Sequence, residues 1–520
     1  MKKKIIILLC LSFIVQSDLL STEWVAVKLA DIDKIIVPFT IGDGRNDGKK
    51  RLYALIYGTR QIYEFTWEGS FWKRDLFFDG ASETDWPAEL DNVGFMPNCA
   101  VQSIVIGDGR NDGINRVYVA YNPLYYLAAN SKIAEFTWNK DKNQWEMTSV
   151  LQSTVSYQQT RAIYILVMGD IRGDGKNRIY AAGYQVYSYD AIWEYTYDSD
   201  KNVWVVTPIN IGIVYKFTDL KISDARNDGR NRLYAVECPS TSDDFPPFQS
   251  SSLIMKTSKA GRATRATLHE ISYDETSSTF VAKVIYQSNY EIGKIAIGDG
   301  RNEGQNSIYL IGGWWVYESI DDPPKIIELK FINGTWKEFI VDDSAVIDQK
   351  EPHYVAGVAP LRNDGINRLY VDYYSWRYYT YELRNMENYL AEETEGFYVE
   401  YTWNGTKWEK RKIESPYFIS FLTGDGRNNR KIALYSVPGY EVQFAVPQQP
   451  YDRSKTQQDK LQLVNNYFKR GSGWTTVWYY VDTAGDVSLD VYTIDGRLVK
   501  RLFSGYRERG EYNEVWTGRD

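Results

Sequence analysis

The sequence predicts an all-β chain: a seven-bladed β-propeller closed by its own N-terminal strand, followed by a small C-terminal β-sandwich. Three observations predict it. One turn phrase recurs seven times at a mean spacing of about 64 residues, the length of a four-stranded blade with generous loops. Each copy is followed by short, alternating, aromatic-rich runs bounded by turn residues, as strands are. The seventh copy lacks a last strand, and a run of matching character stands at the N-terminus.

The composition agrees. Of 520 residues, 15% are aromatic, with 42 Tyr and 17 Trp against 6 Met, a balance that leans towards strands. A formal charge of −8 leaves no basic footprint, so nucleic acid is excluded as a partner class. Two histidines, His269 and His353, leave little room for histidine catalysis or a histidine-rich metal site. Of these, His353 on the loop-rich side is the one worth testing.

Residues 1–17 read as a signal peptide: three lysines, an apolar stretch from Ile5 to Val15 too short to span a bilayer, and an acceptable cleavage site at Val15-Gln16-Ser17. No later run reaches the ~18 apolar residues of a spanning helix. The expected location is therefore extracellular, with no membrane span. The mature chain would keep Cys99 and Cys238, enough for one disulfide at most and not for a disulfide framework.

The propeller is expected over 22–446. Its phrase begins at Ile41 (IGDGRNDGKKRLY), Ile106, Met168, Ile222, Ile297, Val358 and Leu422. An apolar strand enters the turn and a second strand leaves it. A third carries Glu-aromatic-Thr-aromatic (Glu64 to Trp67, Glu135 to Trp138, Glu194 to Tyr197, Glu400 to Trp403), and a fourth follows. Alternation puts Phe65 and Trp67 on one face and Glu64 and Thr66 on the other, and face-to-face packing of sheets makes the aromatics core. Glu68-Gly69, Asn333-Gly334 and Asn404-Gly405 read as two-residue hairpin turns between third and fourth strands. The seventh repeat ends at Pro447 without a fourth strand, and Glu23 to Leu29 is expected to complete it, leaving no open inner edge.

The turn resembles the FG-GAP or VCBS repeat of integrin-type propellers and calcium-containing propeller lectins, whose phrase Asp-x-Asn/Asp-x-Asp-Gly-x-x-Asp holds calcium through loop positions 1, 3, 5 and 9. Here Asp43, Asp108 and Asp170 hold position 1, and Asp47, Asp112 and Asp174 hold position 5. Position 3 is arginine in every copy: Arg45, Arg110, Arg172, Arg226, Arg301, Arg362 and Arg427. Position 9 is arginine in five, with Ser307 and Ala433 as exceptions. Calcium needs 6–8 oxygen ligands. Two guanidiniums remove oxygens and place positive charge at the ion's position, on the order of 4 kcal/mol each at ~4 Å. The expectation is that the arginines replace the ion and fork to the loop's aspartates and carbonyls, with no cofactor; calcium retained through Asp43 and Asp47 is the rival.

In such a blade the first-to-second and third-to-fourth turns share one end, and the remaining connections share the other. The first end is uniform. The second is irregular, with insertions at Pro239 to Thr267 and Tyr373 to Gly396, and it is aromatic. Tyr125, Tyr126, Tyr187, Trp314, Trp315, Tyr373, Tyr374 and Trp376 are the candidate ligand-binding residues. Aromatic faces stack on sugar C–H faces while neighbouring carboxylates and amides take the hydroxyls. Carbohydrate recognition without catalysis is the leading expectation. A protein-binding adhesion or structural scaffold at the cell surface is the first alternative; a polysaccharide lyase or glycoside hydrolase is the second. No nucleophile elbow, zinc helix, Walker loop or dinucleotide fingerprint occurs, so no catalytic residue is named.

Residues 447–473 read as a linker with one helical turn near Leu461 to Tyr467, and 474–520 as alternating strands with Ala-Gly and Asp-Gly turns. Thr475 to Tyr480, Ala484 to Tyr492, Asp495 to Leu502 and Gly510 to Trp516 resemble the Ig-like sorting domain of type IX secretion substrates and of flagellar hook-capping proteins, whose final strand after the matching Trp-x-Gly-Arg-Asp is not matched here. The resemblance implies a partial Ig-like domain, export through secretion machinery, and release or attachment at the cell surface.

Overall fold

A computed structural model describes residues 3–8, 23–30, 36–56, 61–69, 71–79, 101–121, 132–152, 161–185, 192–209, 217–237, 266–288, 292, 294–312, 325–343, 351–374, 396–413, 421–436, 440–445, 461–464, 475–481, 483–492 and 498–516. Among these residues the regular structure is all strand, and no helix is long and apolar enough to cross a membrane. The chain divides into two compact units, 26–443 and 1–25 with 444–520.

The larger unit is a β-propeller. Six four-stranded antiparallel sheets follow in sequence over 36–79, 101–152, 161–209, 217–288, 296–342 and 351–413, each a meander with its strands in chain order. A seventh sheet contains Phe421–Gly424, Ala433–Ser436 and Tyr440–Ala445, and its fourth strand is Glu23–Lys28 from the N-terminus.

Each sheet packs its first strand against the first strand of the next, from Ile36–Gly42 round to Phe421–Gly424, which returns to Ile36–Gly42. The apolar clusters alternate with the sheets. Leu29, Leu52, Phe65 and Trp72 of the first sheet's neighbourhood pack with Ala433 and Tyr435 of the seventh. Tyr53, Ile62 and Phe77 on the first sheet's other face pack with Val117, Val119 and Phe136 of the second. Two-sided burial explains second strands without polar alternation: Arg51–Ile56 and Arg116–Tyr121 are buried at every position. The fourth strands face solvent and alternate, as in Val203–Ile209.

The hairpin expectation is corrected in part. Ile332 pairs with Thr335 across the two residues Asn333 and Gly334. Trp67, however, pairs with Trp72, and Trp403 with Trp408, so these turns span four residues, closed by Glu68 N–H to Phe71 O (3.0 Å) and Asn404 N–H to Lys407 O (3.1 Å). The aromatic pairs fix the register: Trp67 meets Trp72 edge-on at 5.4 Å, and the glycine takes its left-handed conformation one place inside the turn.

The smaller unit has two three-stranded sheets. One joins Leu461–Val464, Thr475–Val481 and Gly510–Trp516; the other joins Lys3–Leu8, Gly485–Tyr492 and Leu498–Arg507. Val477, Tyr479 and Val481 pack against Val487 and Leu489 between them. The helical turn expected near Leu461 is instead a strand, because Leu461 and Leu463 alternate with Gln462 and pair across to Tyr479 and Val477.

Candidate functional site

The repeated turn is an internally saturated network. In the first copy both Asp43 oxygens accept backbone N–H groups, from Asp47 (3.2 Å) and Gly48 (2.7 Å). Asn46 and Gly48 take positive φ, 57° and 82°, which asparagine and glycine tolerate best. Arg51 at position 9 forks onto Asp47 with bonds of 2.8 and 2.6 Å and also donates to the Lys49 carbonyl (3.0 Å). The same fork recurs as Arg116–Asp112, Arg178–Asp174, Arg232–Asp228 and Arg368–Asp364. The arginine hydrogen bond holds Asp47, Asp174 and Asp228 at a pKa of about 2, below the ordinary 3.8.

Position 3 behaves differently from the expectation. Arg45 does not bond the loop's aspartates. It runs inward and pairs with Glu64 of the third strand (Nε to Oε2 3.2 Å). Arg110 pairs with Glu135 (3.0 and 2.5 Å), Arg172 with Glu194 (3.1 and 2.5 Å), Arg301 with Glu328 (2.7 Å) and Arg362 with Glu400 (2.9 and 2.5 Å); Arg226 pairs with Glu270 in the same way. The physical reason is occupancy: Asp43 is filled by backbone donors and Asp47 by Arg51, so the remaining guanidinium meets the buried glutamate. Glu64 also accepts the Tyr53 hydroxyl (2.8 Å) and lies 3.4 Å from Arg51 Nε. Burial, then the Glu64 charge, raises the Tyr53 pKa well above its ordinary value, so that hydroxyl stays a donor.

The position 3 arginines also join neighbouring sheets. Arg45 stacks on Trp138 (3.8 Å to the ring centroid), Arg110 on Tyr197 (4.4 Å), Arg172 on Tyr273 (4.3 Å), Arg226 on Phe331 (4.4 Å), Arg301 on Trp403 (3.9 Å) and Arg427 on Trp67 (3.7 Å), each ring belonging to the next sheet round the ring. The position 4 asparagines latch the same junctions. Asn46 exchanges two hydrogen bonds with the backbone of Asn115 (2.9 and 2.7 Å), and Asn428 does so with Lys50 across the ring closure (2.9 and 2.6 Å). Equivalent bonds tie Asn111 to Asn177, Asn227 to Asn306, Asn302 to Asn367 and Asn363 to Ile432; the third copy has Gly173 at this place.

At the other end of the sheets the candidates separate. Tyr125, Tyr126, Tyr187, Trp314, Trp315 and Trp376 lie outside the described residues. Tyr374 ends the strand Arg368–Tyr374. Tyr373 is corrected: it is fully buried, stacks on Phe397 (5.4 Å), and its hydroxyl lies 2.6 Å from that of Tyr401, which donates to Asp342 (2.9 Å). Alternation along its strand turns Tyr373 towards the preceding sheet, with Leu369 and Val371, so it fills the core.

Other polar groups stand at this end. Asp219 accepts from the Leu220 (3.0 Å) and Ile295 (2.9 Å) amides, drawing the segment before Ala296–Gly298 onto the fourth sheet. That segment carries Lys294 close enough to feel Asp219, Lys221 and Asp372, and burial lowers the Lys294 pKa below 10.5. His269 is buried with Nε2 2.7 Å from Glu237, and His353 lies in the strand Glu351–Ala359. Among the described residues no group of three or more His, Cys, Asp or Glu is placed to hold a metal ion. The buried glutamates were the residues missed from sequence. Their signal was co-recurrence: a glutamate in the third strand wherever the turn carries Arg at position 3 and Tyr two residues after position 9.

No family model matches the chain, and no curated protein matches it. Solved structures similar to it include the Dos1 propeller, at 8% identity and a TM-score of 0.41, covering 76% of this chain and 75% of that one. An α-L-arabinanase from Penicillium chrysogenum complexed with arabinobiose is similar at 11% identity and a TM-score of 0.39, covering 67% and 92%. The PQQ-bound aldose sugar dehydrogenase from Streptomyces coelicolor is similar at 12% and 0.32, covering 68% and 92%.

Proposed function

We propose that this chain is an exported seven-bladed β-propeller that binds carbohydrate without transforming it, through the loop-rich end of the ring. The observation that carries the reading is the asymmetry between the ends. At the turn end the recurring acids are committed: Asp43 to backbone amides, Asp47 to Arg51, Glu64 to Arg45. Rigid, repetitive ends of a scaffold position loops at the opposite end, where binding residues concentrate. There the connections vary in length and carry Tyr125, Tyr126, Tyr187, Trp314, Trp315, Tyr374 and Trp376. Tyr373 supports the aromatic end from beneath rather than touching ligand.

The turns are a calcium-type FG-GAP loop in which Arg51 and its counterparts stand in for the ion at the position 5 acid, while Arg45 runs inward to Glu64. Residues 1–17 serve as the export signal, and the C-terminal unit as an Ig-like sorting or attachment module. A glycan array on the mature chain tests the recognition; the expected result is a restricted set of hits that Trp314→Ala with Trp315→Ala abolishes. No hit at high protein concentration removes the proposal, and release of reducing ends or unsaturated products from a polysaccharide would replace it with the enzyme reading. A melting temperature unchanged by chelator is expected from the arginine-filled turns; a drop would return calcium to them.

A further inference from the structure

The turn end is not electrostatically uniform. Four cations meet where the ring closes: Lys49 and Lys50 on the first turn, Arg430 and Lys431 on the seventh. Lys49, Lys50 and Arg430 are exposed. The two turns are clasped by the paired hydrogen bonds between Asn428 and Lys50 (2.9 and 2.6 Å), so the cations are held together rather than free to separate. Residues 43–51 and 425–433 contain seven Lys and Arg against three Asp, the widest imbalance of any two neighbouring turns, in a chain of net charge −8. Asp47 is neutralised by Arg51, and Asp43 and Asp425 are turned onto backbone amides. Glu68 is the acid on the adjoining third-to-fourth turn of the first sheet.

The seventh turn departs from the others in the direction of positive charge. Its position 5 is Asn429 and not Asp, and its position 6 is Arg430 where the other six copies have glycine. Arg430 holds φ at 65°, a conformation that costs an L side chain about 1 kcal/mol or more. A strained cation where glycine fits freely, set beside three more cations, marks the patch as a surface for something outside the fold. Phe71, exposed on the first sheet's turn at this same end, offers a flat apolar face.

We propose that this junction binds an anionic polysaccharide, its cations taking carboxylate or sulfate groups and Phe71 a sugar face. A polyanion suits clasped cations, since successive charged sugars engage several at once. The surface lies at the opposite end of the ring from the proposed loop-rich site and does not depend on it.

The experiment measures binding of the full chain to polygalacturonate and dextran sulfate, with neutral dextran and phosphatidylserine vesicles in parallel. Binding to the polyanions that weakens with salt is expected. The triple variant Lys49→Glu, Lys50→Glu, Arg430→Gly should weaken it by at least about tenfold with the melting temperature retained, since glycine relieves the strain at 430. Lys176→Glu with Arg230→Glu, on other turns of the same end, should stay within about twofold. Trp314→Ala with Trp315→Ala should leave polyanion binding intact, which separates this site from the loop-rich one. Equal binding of neutral dextran, an unaffected triple variant, equal loss in the Lys176/Arg230 variant, or binding to vesicles alone would overturn the proposal.

Discussion

Arg110→Met tests whether the arginine–glutamate pair holds the second sheet together. Glu135 is fully buried. Its carboxylate accepts two Arg110 bonds (3.0 and 2.5 Å) and one from Thr148 (2.7 Å), with Arg116 Nε at 3.8 Å. Removing Arg110 leaves that charge with one hydroxyl and a distant guanidinium, and stranding a buried charge costs about 3 to 5 kcal/mol. Glu135→Gln strands the other partner. Arg110 is 17% exposed and keeps its bond to the Tyr197 hydroxyl (3.0 Å), so this variant should cost about half as much. The double change Arg110→Met with Glu135→Met removes both charges and should return to within about 2 kcal/mol of the parent, the residue of the loss being the stacking on Tyr197. Hydrogen exchange over Arg116–Tyr121 and Lys132–Asn139 reads the local opening free energy without requiring the whole chain to unfold as one. A single Arg110→Met cost under about 1 kcal/mol, or a double variant as unstable as the two singles combined, would refute the reasoning.

Two further outcomes follow from the turns. The folded pKa of Asp47, Asp174 and Asp228 is about 2, below the unfolded 3.8, so their contribution is complete above about pH 4 and is lost as pH falls towards 2. Solvent screening keeps that loss small, since these side chains are 39%, 43% and 41% exposed. Melting temperature against pH should fall across this window, and the triple Asp→Asn variant should flatten that part of the curve; an unchanged slope contradicts the assignment. Asn428→Ala removes both bonds to Lys50 and places a Cβ without a compensating amide at φ 58°, an expected cost of about 2 kcal/mol. Faster amide exchange at Lys50 than in the parent is the expected reading, and no change there argues that the clasp is idle.

The repeat phrase, read along the chain, pointed to an all-β propeller of four-stranded antiparallel meanders placed in series. It could do so because each sheet is a local meander whose turn residues, Asn46 and Gly48 among them, dictate backbone conformation within a few positions. It did not determine which acid each arginine meets. Arg45 and Glu64 stand 19 residues apart in sequence, and Arg45 with Trp138 or Asn428 with Lys50 belong to different repeats. Those partners are chosen only when neighbouring sheets stack and the nearer aspartates are already filled. Tyr373, read from the sequence as the start of a loop insertion, lies instead in the strand Arg368–Tyr374 on a face closed by the preceding sheet, and the sequence could not reveal this because burial is a property of what packs on a strand and not of the strand.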